Sequence, residues 1–166
     1  MGVHSMKIIK ALLLAVALLM PAISFAEMDS EDQVIYTQAL RDGDVKLVKK
    51  YLDSGVGAND LYFAWSALQI AANQGKIEVI KLLLDKGADI NARHPITKLT
   101  AFHLAAYENF PEVVKFLAAR GADVNLKMRA DVSIIRGIRD TGNTKMVELL
   151  TSLGVKDDGC MEEKCL

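Results

Sequence analysis

At 166 residues, with 51% apolar and 25% charged side chains, the chain has the length and composition of one folded domain and not of a disordered polymer. Twenty basic residues against 21 acidic ones leave a formal net charge of −1. That balance argues against nucleic-acid binding, which rests on clustered Lys and Arg neutralising phosphates.

The first element in chain order is a segment to be removed. Lys7 and Lys10 precede an unbroken apolar run over 11–20, followed by Pro21 and the small residues Ser24 and Ala26. A positive start, a short apolar stretch and small residues three and one before a cut are the anatomy of a secretory signal peptide, with cleavage expected after Ala26. The run is shorter than the roughly 20 apolar residues that span a bilayer, so no membrane association is expected once 1–26 is gone. Met6 opens the string Met-Lys-Ile-Ile-Lys and competes with Met1 as the start. Cleavage removes two lysines and no acid, leaving the mature chain two units more negative. A short, lysine-primed signal rich in Leu and Ala points to a bacterial protein of the periplasm, or of the exterior.

The remainder repeats with a period near 33, the mark of stacked-repeat architecture. Gly55, Gly87, Gly121 and Gly154 are 32, 34 and 33 apart, and Gly43, Gly75, Asn109 and Gly142 keep the same spacings. Asn109 is informative, because asparagine best tolerates the left-handed conformation that glycine supplies at a helix end. Four residues before the first series stand Tyr51, Leu83, Leu117 and Leu150; seven before, Val48, Ile80, Val114 and Val147; eight before, Leu47, Val79, Val113 and Met146. Residues so spaced share one helix face, which predicts four outer helices ended by Gly55, Gly87, Gly121 and Gly154. Shorter, alanine-rich inner helices are predicted ahead of the second series, clearest at 67–72 and 101–106.

At these residues the chain resembles the ankyrin-repeat family. Its Thr-Pro-Leu-His-x-Ala-Ala signature is matched by Thr100-Ala101-Phe102-His103-Leu104-Ala105-Ala106 and more loosely by Ser66-Ala67-Leu68-Gln69-Ile70-Ala71-Ala72, with alanine in place of proline in both. The family's Gly-Ala-Asp-x-Asn ending recurs at 87–91 and 121–125. The resemblance implies an all-α solenoid of four helix-turn-helix repeats with short hairpin-like loops. It spans 30–156, in repeats of about 30–60, 61–93, 94–127 and 128–156, with 157–166 as an acidic tail. The end repeats drift from the pattern, as solenoid caps do. Gly137 in the last inner helix costs up to about 1 kcal/mol relative to alanine, so the C-terminal repeat is expected to be the softest.

The resemblance also implies a non-catalytic protein-binding monomer whose partners meet a concave face of loop tips and inner helices. Mapped here, that face comprises Tyr62, Phe63, Trp65, Asn73 and Gln74, then Ile96, Thr97, Leu99, Tyr107 and Glu108, then Arg129 and Asp140. The run Leu61-Tyr62-Phe63-Ala64-Trp65 concentrates aromatics of the kind that dominate interface hot spots. His103 takes the family's structural role, bonding neighbouring backbone, and His94 reads as a solvated loop residue. No nucleophile, zinc or phosphate-loop pattern is present, so no enzyme activity, metal or cofactor is expected. Asp157, Asp158, Glu162 and Glu163 read as solvated charge. Cys160 and Cys165 are expected to close a small disulfide in an oxidising compartment.

Exported proteins similar to this one include ankyrin proteins that support a periplasmic catalase or peroxidase. The resemblance therefore implies a scaffold or protector of an envelope protein, linked to oxidative-stress defence. An immunity protein against a periplasm-targeted toxin, or a secreted host-interaction factor, are the alternatives the sequence leaves open.

Overall fold

The computed structural model describes residues 28–158. The signal segment, its cleavage site and the cysteine pair lie outside the described residues. Four helix pairs follow one another: α1 (Ser30–Asp42) with α2 (Val45–Asp53), α3 (Ala67–Asn73) with α4 (Ile77–Asp85), α5 (Ala101–Tyr107) with α6 (Pro111–Ala119), and α7 (Ile134–Asp140) with α8 (Thr144–Ser152). Two short strands, β1 (Leu61–Tyr62) and β2 (Trp65–Ser66), form a hairpin before α3, and a 3-10 turn (Arg129–Asp131) precedes α7. The inner helices α1, α3, α5 and α7 pack side by side, each against its own outer partner. Their alanines permit this: Ala71, Ala72, Ala105 and Ala106 are fully buried between neighbours.

The repeated apolar positions of the outer helices face inward. Val48, Ile80, Val114, Val79, Val113, Met146, Leu83, Leu117 and Leu150 are all buried, while Tyr51, Leu47 and Val147, on the end repeats, are half-buried. End repeats have a neighbour on one side only, which is why the same position is less covered there.

Each inner helix starts on a hydroxyl or carboxylate that accepts a backbone N–H of its first turn: Asp29, Ser66, Thr100 and Ser133. At Ser66 and Thr100 the cap is reciprocal. The side chain three residues on, Gln69 or His103, accepts the N–H of the capping residue in return. This closed ring defines the helix start without the missing proline.

Helix ends confirm the glycine spacing. Asn109 adopts φ 58°, the left-handed conformation that Gly43, Gly75 and Gly142 occupy in the other repeats. Gly75 has a second constraint, because a Cβ there would lie 2.8 Å from the Phe110 ring. Gly137 is likewise more than a lapse in helix propensity. A Cβ at this position would meet the Tyr107 Oη at 2.0 Å and the Met128 Cε at 3.1 Å, so glycine is what lets α7 close on the preceding repeat.

Polar bonds then join each repeat to the next. Asn59 Oδ1 accepts the Asp89 N–H, Asn91 Oδ1 accepts that of Asp123, and Asn125 Oδ1 accepts that of Lys156, at 2.7 to 2.9 Å. On the outer surface Lys86 pairs with Asp53 and Arg120 with Asp85 across the same gaps. The expectation that the C-terminal acids are merely solvated is corrected for two of them. Asp158 accepts the Ser133 N–H at 2.9 Å and Asp157 pairs with Arg139. Arg136 stands where Gln69 and His103 stand in earlier repeats and bonds Ser133 only through its backbone N–H. Asp158 supplies the acceptor that Arg136, a pure donor, lacks.

Candidate protein-binding face

The β1–β2 hairpin pairs Leu61 with Ser66 and Tyr62 with Trp65, leaving Phe63 and Ala64 as a two-residue loop. Both loop residues have positive φ, 53° and 71°, the backbone a tight hairpin needs to follow the strand twist. Successive side chains along the ribbon point to opposite sides. Phe63 is thereby thrown outward, 74% exposed, with Leu61 60% exposed beside it. Tyr62 turns inward, and its placement on the binding face is corrected: it is 4% exposed and stacks edge-on against Tyr36 at 5.2 Å. Tyr36 in turn meets Tyr51 at 5.3 Å. The hydroxyls of Tyr36 and Tyr62 are buried without hydrogen-bond partners among the described residues.

Trp65 is half-buried and lies against the His94 ring at 4.2 Å. His94 is not solvated, as its loop position suggested, but 7% exposed. Its Nδ1 accepts the N–H groups of Ile96 and Thr97 at 3.3 and 3.2 Å, its own N–H donates to the Leu99 carbonyl, and its carbonyl accepts from Lys98. Pro95 has no N–H, so the loop's first two donors follow it, and the imidazole gathers them. Ile96 is left 64% exposed at the tip, while Thr97 and Leu99 are half-buried beneath it.

His103 is fully buried. Its Nδ1 accepts the Thr100 N–H at 3.0 Å, which assigns the proton to Nε2 and makes that nitrogen the donor to the Leu126 carbonyl at 3.1 Å. Burial pushes the imidazole pKa down to about 4; the Leu126 bond opposes this and the Arg93 charge adds to it. A neutral ring locked at both nitrogens serves structure and is held out of acid–base chemistry near neutral pH.

The inner helices end in a row of equivalent positions, Arg41, Asn73, Tyr107 and Asp140. Tyr107 is 37% exposed, its hydroxyl donating to the Met128 Sδ at 3.6 Å. Gln74, Glu108, Arg129 and Asp140 are exposed, and Asn73 is half-buried. Between the first two repeats the row opens into a cleft of about 240 Å³ lined by Arg41, Trp65, Gln69, Ile70, Asn73 and Gln74. Trp65, Asn73 and Gln74 are thus brought together, and Phe63, Ile96 and Arg129 lie on the separate edge formed by the loop tips. Arg41, Gln69 and Ile70 were missed by sequence reasoning. Arg41 was recoverable, since it occupies in the first repeat the place of Asn73 in the second. Among the described residues no group of His, Cys, Asp and Glu is placed to hold a metal ion.

The chain matches the family described as ankyrin repeats (3 copies) over residues 37–128. It belongs to the ankyrin-repeat family. The ankyrin pairs of this chain are also similar to segments of ankyrin repeat, SAM and basic leucine zipper domain-containing protein 1 from several mammals. Identity is 37% over 60 residues with the protein from Loxodonta africana, covering 36% of this chain and 13% of that one. With the protein from Mus musculus it is 38% over 71 residues, covering 42% and 14%. The matched stretch is thus a small part of those relatives' length. Ankyrin repeats are protein–protein interaction modules, and that is the function class of this chain.

Proposed function

We propose that this ankyrin stack is a non-catalytic module exported to the bacterial periplasm, where its loop edge and concave face hold, scaffold or protect another envelope protein. Export rests on the signal pattern of 1–26. The observation that carries binding at this face is Phe63. A two-residue loop of positive φ is the province of glycine and asparagine, yet an aromatic occupies it and stands 74% in water. A backbone cost of about 1 to 2 kcal/mol to display an apolar ring has no return inside the fold. It has one when a partner covers the ring. The resemblance to exported ankyrin proteins that support catalase or peroxidase makes oxidative-stress defence the proposed process.

The test is in vivo photo-crosslinking from residue 63, from residue 74 and from residue 115 on the outer surface, combined with fractionation and N-terminal sequencing. The expected result is a mature chain beginning at Glu27 in the periplasmic fraction, crosslinked to one protein from 63 and 74 but not from 115, and peroxide sensitivity on deletion. Crosslinks confined to 115, or a chain retained in the cytoplasm with residues 1–26 intact, would overturn the reading.

A further inference from the structure

The charges of the stack are sorted by surface. Among the described residues the ion pairs Lys49–Asp53, Lys86–Asp53, Lys81–Glu78, Lys115–Glu112 and Arg120–Asp85 lie on the outer helices, and Arg139–Asp157 fastens the tail. The loops between repeats are different. Arg93, Lys98, Lys127 and Arg129 stand in 91–100 and 125–133, and among the described residues none of them pairs with a carboxylate; Asp131 is the one acid in those two stretches, with Asp89 and Asp123 earlier in the same loops. The Arg93 guanidinium donates to the Lys98 and Lys127 carbonyls, binding the two loops together while its charge stays uncompensated. The Arg129 N–H completes the join on the Thr97 carbonyl at 3.0 Å. A chain of net charge −1 therefore sets four cations against one carboxylate in 91–100 and 125–133.

The same edge changes character along its length. In the first loop Leu61 and Phe63 stand exposed after Asn59 and Asp60; Ile96 stands exposed at the second; the cations follow. Backbone of positive φ at Phe63, Ala64, Lys98, Ala130 and Asp131 fixes all three tips. Rigid tips lower the ordering cost of association.

We infer that this edge is a docking strip for an acidic protein segment with an apolar residue at one end, the apolar residue covering Leu61, Phe63 and Ile96 and the carboxylates meeting Lys98, Arg129 and Arg93. The inference rests on the protein-binding reading above and names the chemistry of the partner. Unpaired cations beside exposed apolar side chains would also suit an anionic lipid surface. The family favours the protein, because ankyrin repeats are protein–protein interaction modules.

The probes are three short synthetic peptides with the same Leu-Phe end, followed by Glu-rich, Gln-rich or Lys-rich sequence, and vesicles containing phosphatidylglycerol. Binding to the chain from Glu27 to Leu166 is read by fluorescence anisotropy and by flotation. The Glu peptide is expected to bind at least about tenfold tighter than the Gln peptide, the Lys peptide not at all, and the difference to shrink as salt shortens the reach of charge. Lys98→Glu with Arg129→Glu is expected to abolish the preference. The neutral pair Lys98→Gln with Arg129→Gln should halve it on a logarithmic scale, each variant being checked by circular dichroism. No binding of the Glu peptide, equal binding of Glu and Gln peptides, or indifference to both variants overturns the inference. Vesicle binding that the charge reversal removes overturns it in favour of lipid. Crosslinks from residue 63 to a partner whose binding ignores the reversal overturn this inference alone, whereas crosslinks confined to residue 115 overturn the protein-binding face as well.

Discussion

At Gln69 and His103 two different side chains close the same ring of hydrogen bonds. Gln69 accepts the Ser66 N–H and donates to the Ala92 and Leu99 carbonyls; His103 accepts the Thr100 N–H and donates to Leu126. Only the histidine titrates. Its folded pKa of about 4 lies below the ordinary 6.5, so the unfolded chain binds the proton more readily. The stability His103 contributes is therefore present above about pH 6.5 and is lost as the pH falls toward 4. From pH 7 to pH 4.5 the loss attributable to this residue is about 2 to 3 kcal/mol. His103→Gln should remove that component while keeping the ring, so urea titrations of the two proteins will diverge in acid and agree at pH 7. Tyr36→Phe and Tyr62→Phe delete hydroxyls that are buried without partners. Each is expected to be neutral or to stabilise by up to about 1 kcal/mol in the same assay, where most buried tyrosine truncations would cost. Gly137→Ala, which helix propensity alone would favour, should instead destabilise by about 1 to 2 kcal/mol because the methyl meets the Tyr107 hydroxyl. Tyr107→Ala in the same chain should recover part of that loss.

The helices were legible because their apolar positions recur at the same offsets from glycine in every repeat. The loops were not. Tyr62 and Phe63 are adjacent aromatics of similar size, and nothing in their order says which one faces the core; the pleat and the positive-φ turn decide it. His94 reads as a loop residue because it is one, and its burial follows from donors that the kinked backbone after Pro95 presents to its ring. Ala64→Gly tests the backbone side of this account. Relief of the left-handed strain outweighs the greater freedom of an unfolded glycine, and the variant should gain about 0.5 kcal/mol with an unchanged urea m-value. Partner binding should weaken slightly, since glycine loosens the tip that displays Phe63.

Stability in such a stack is close to a sum of repeat terms and nearest-neighbour terms. The last repeat has one neighbour, a glycine inside its inner helix, and a cap completed from outside the repeat by Asp158. Asp158→Ala leaves the Ser133 N–H without its acceptor, at a cost of about 1 kcal/mol. Hydrogen exchange should show amides of α7 and α8 exchanging faster while those of α3 to α6 keep their protection. Uniform acceleration along the whole stack would mean that the repeats unfold as one unit. The stack itself, its four pairs and its family were readable from the sequence; the roles of Asp157 and Asp158 were not, because a carboxylate at the end of a chain looks solvated until its partner is located.

The bonds from a side chain to the backbone of a neighbouring repeat all point one way. Asn59, Asn91 and Asn125 each reach forward to the backbone of the following repeat, and Gln69 does the same from an inner helix, onto the Leu99 carbonyl. Each unit therefore carries side-chain donors and acceptors for its successor's backbone, while Lys86–Asp53, Arg120–Asp85 and Asn143–Asn109 pair side chains across the same gaps. An in-frame duplication of 61–93 would place a copied Asn91 before a copied Asp89 turn and reproduce the joint. The number of units is thus a free variable of this chain, and longer or shorter versions can be spliced at the joint without inventing a new one.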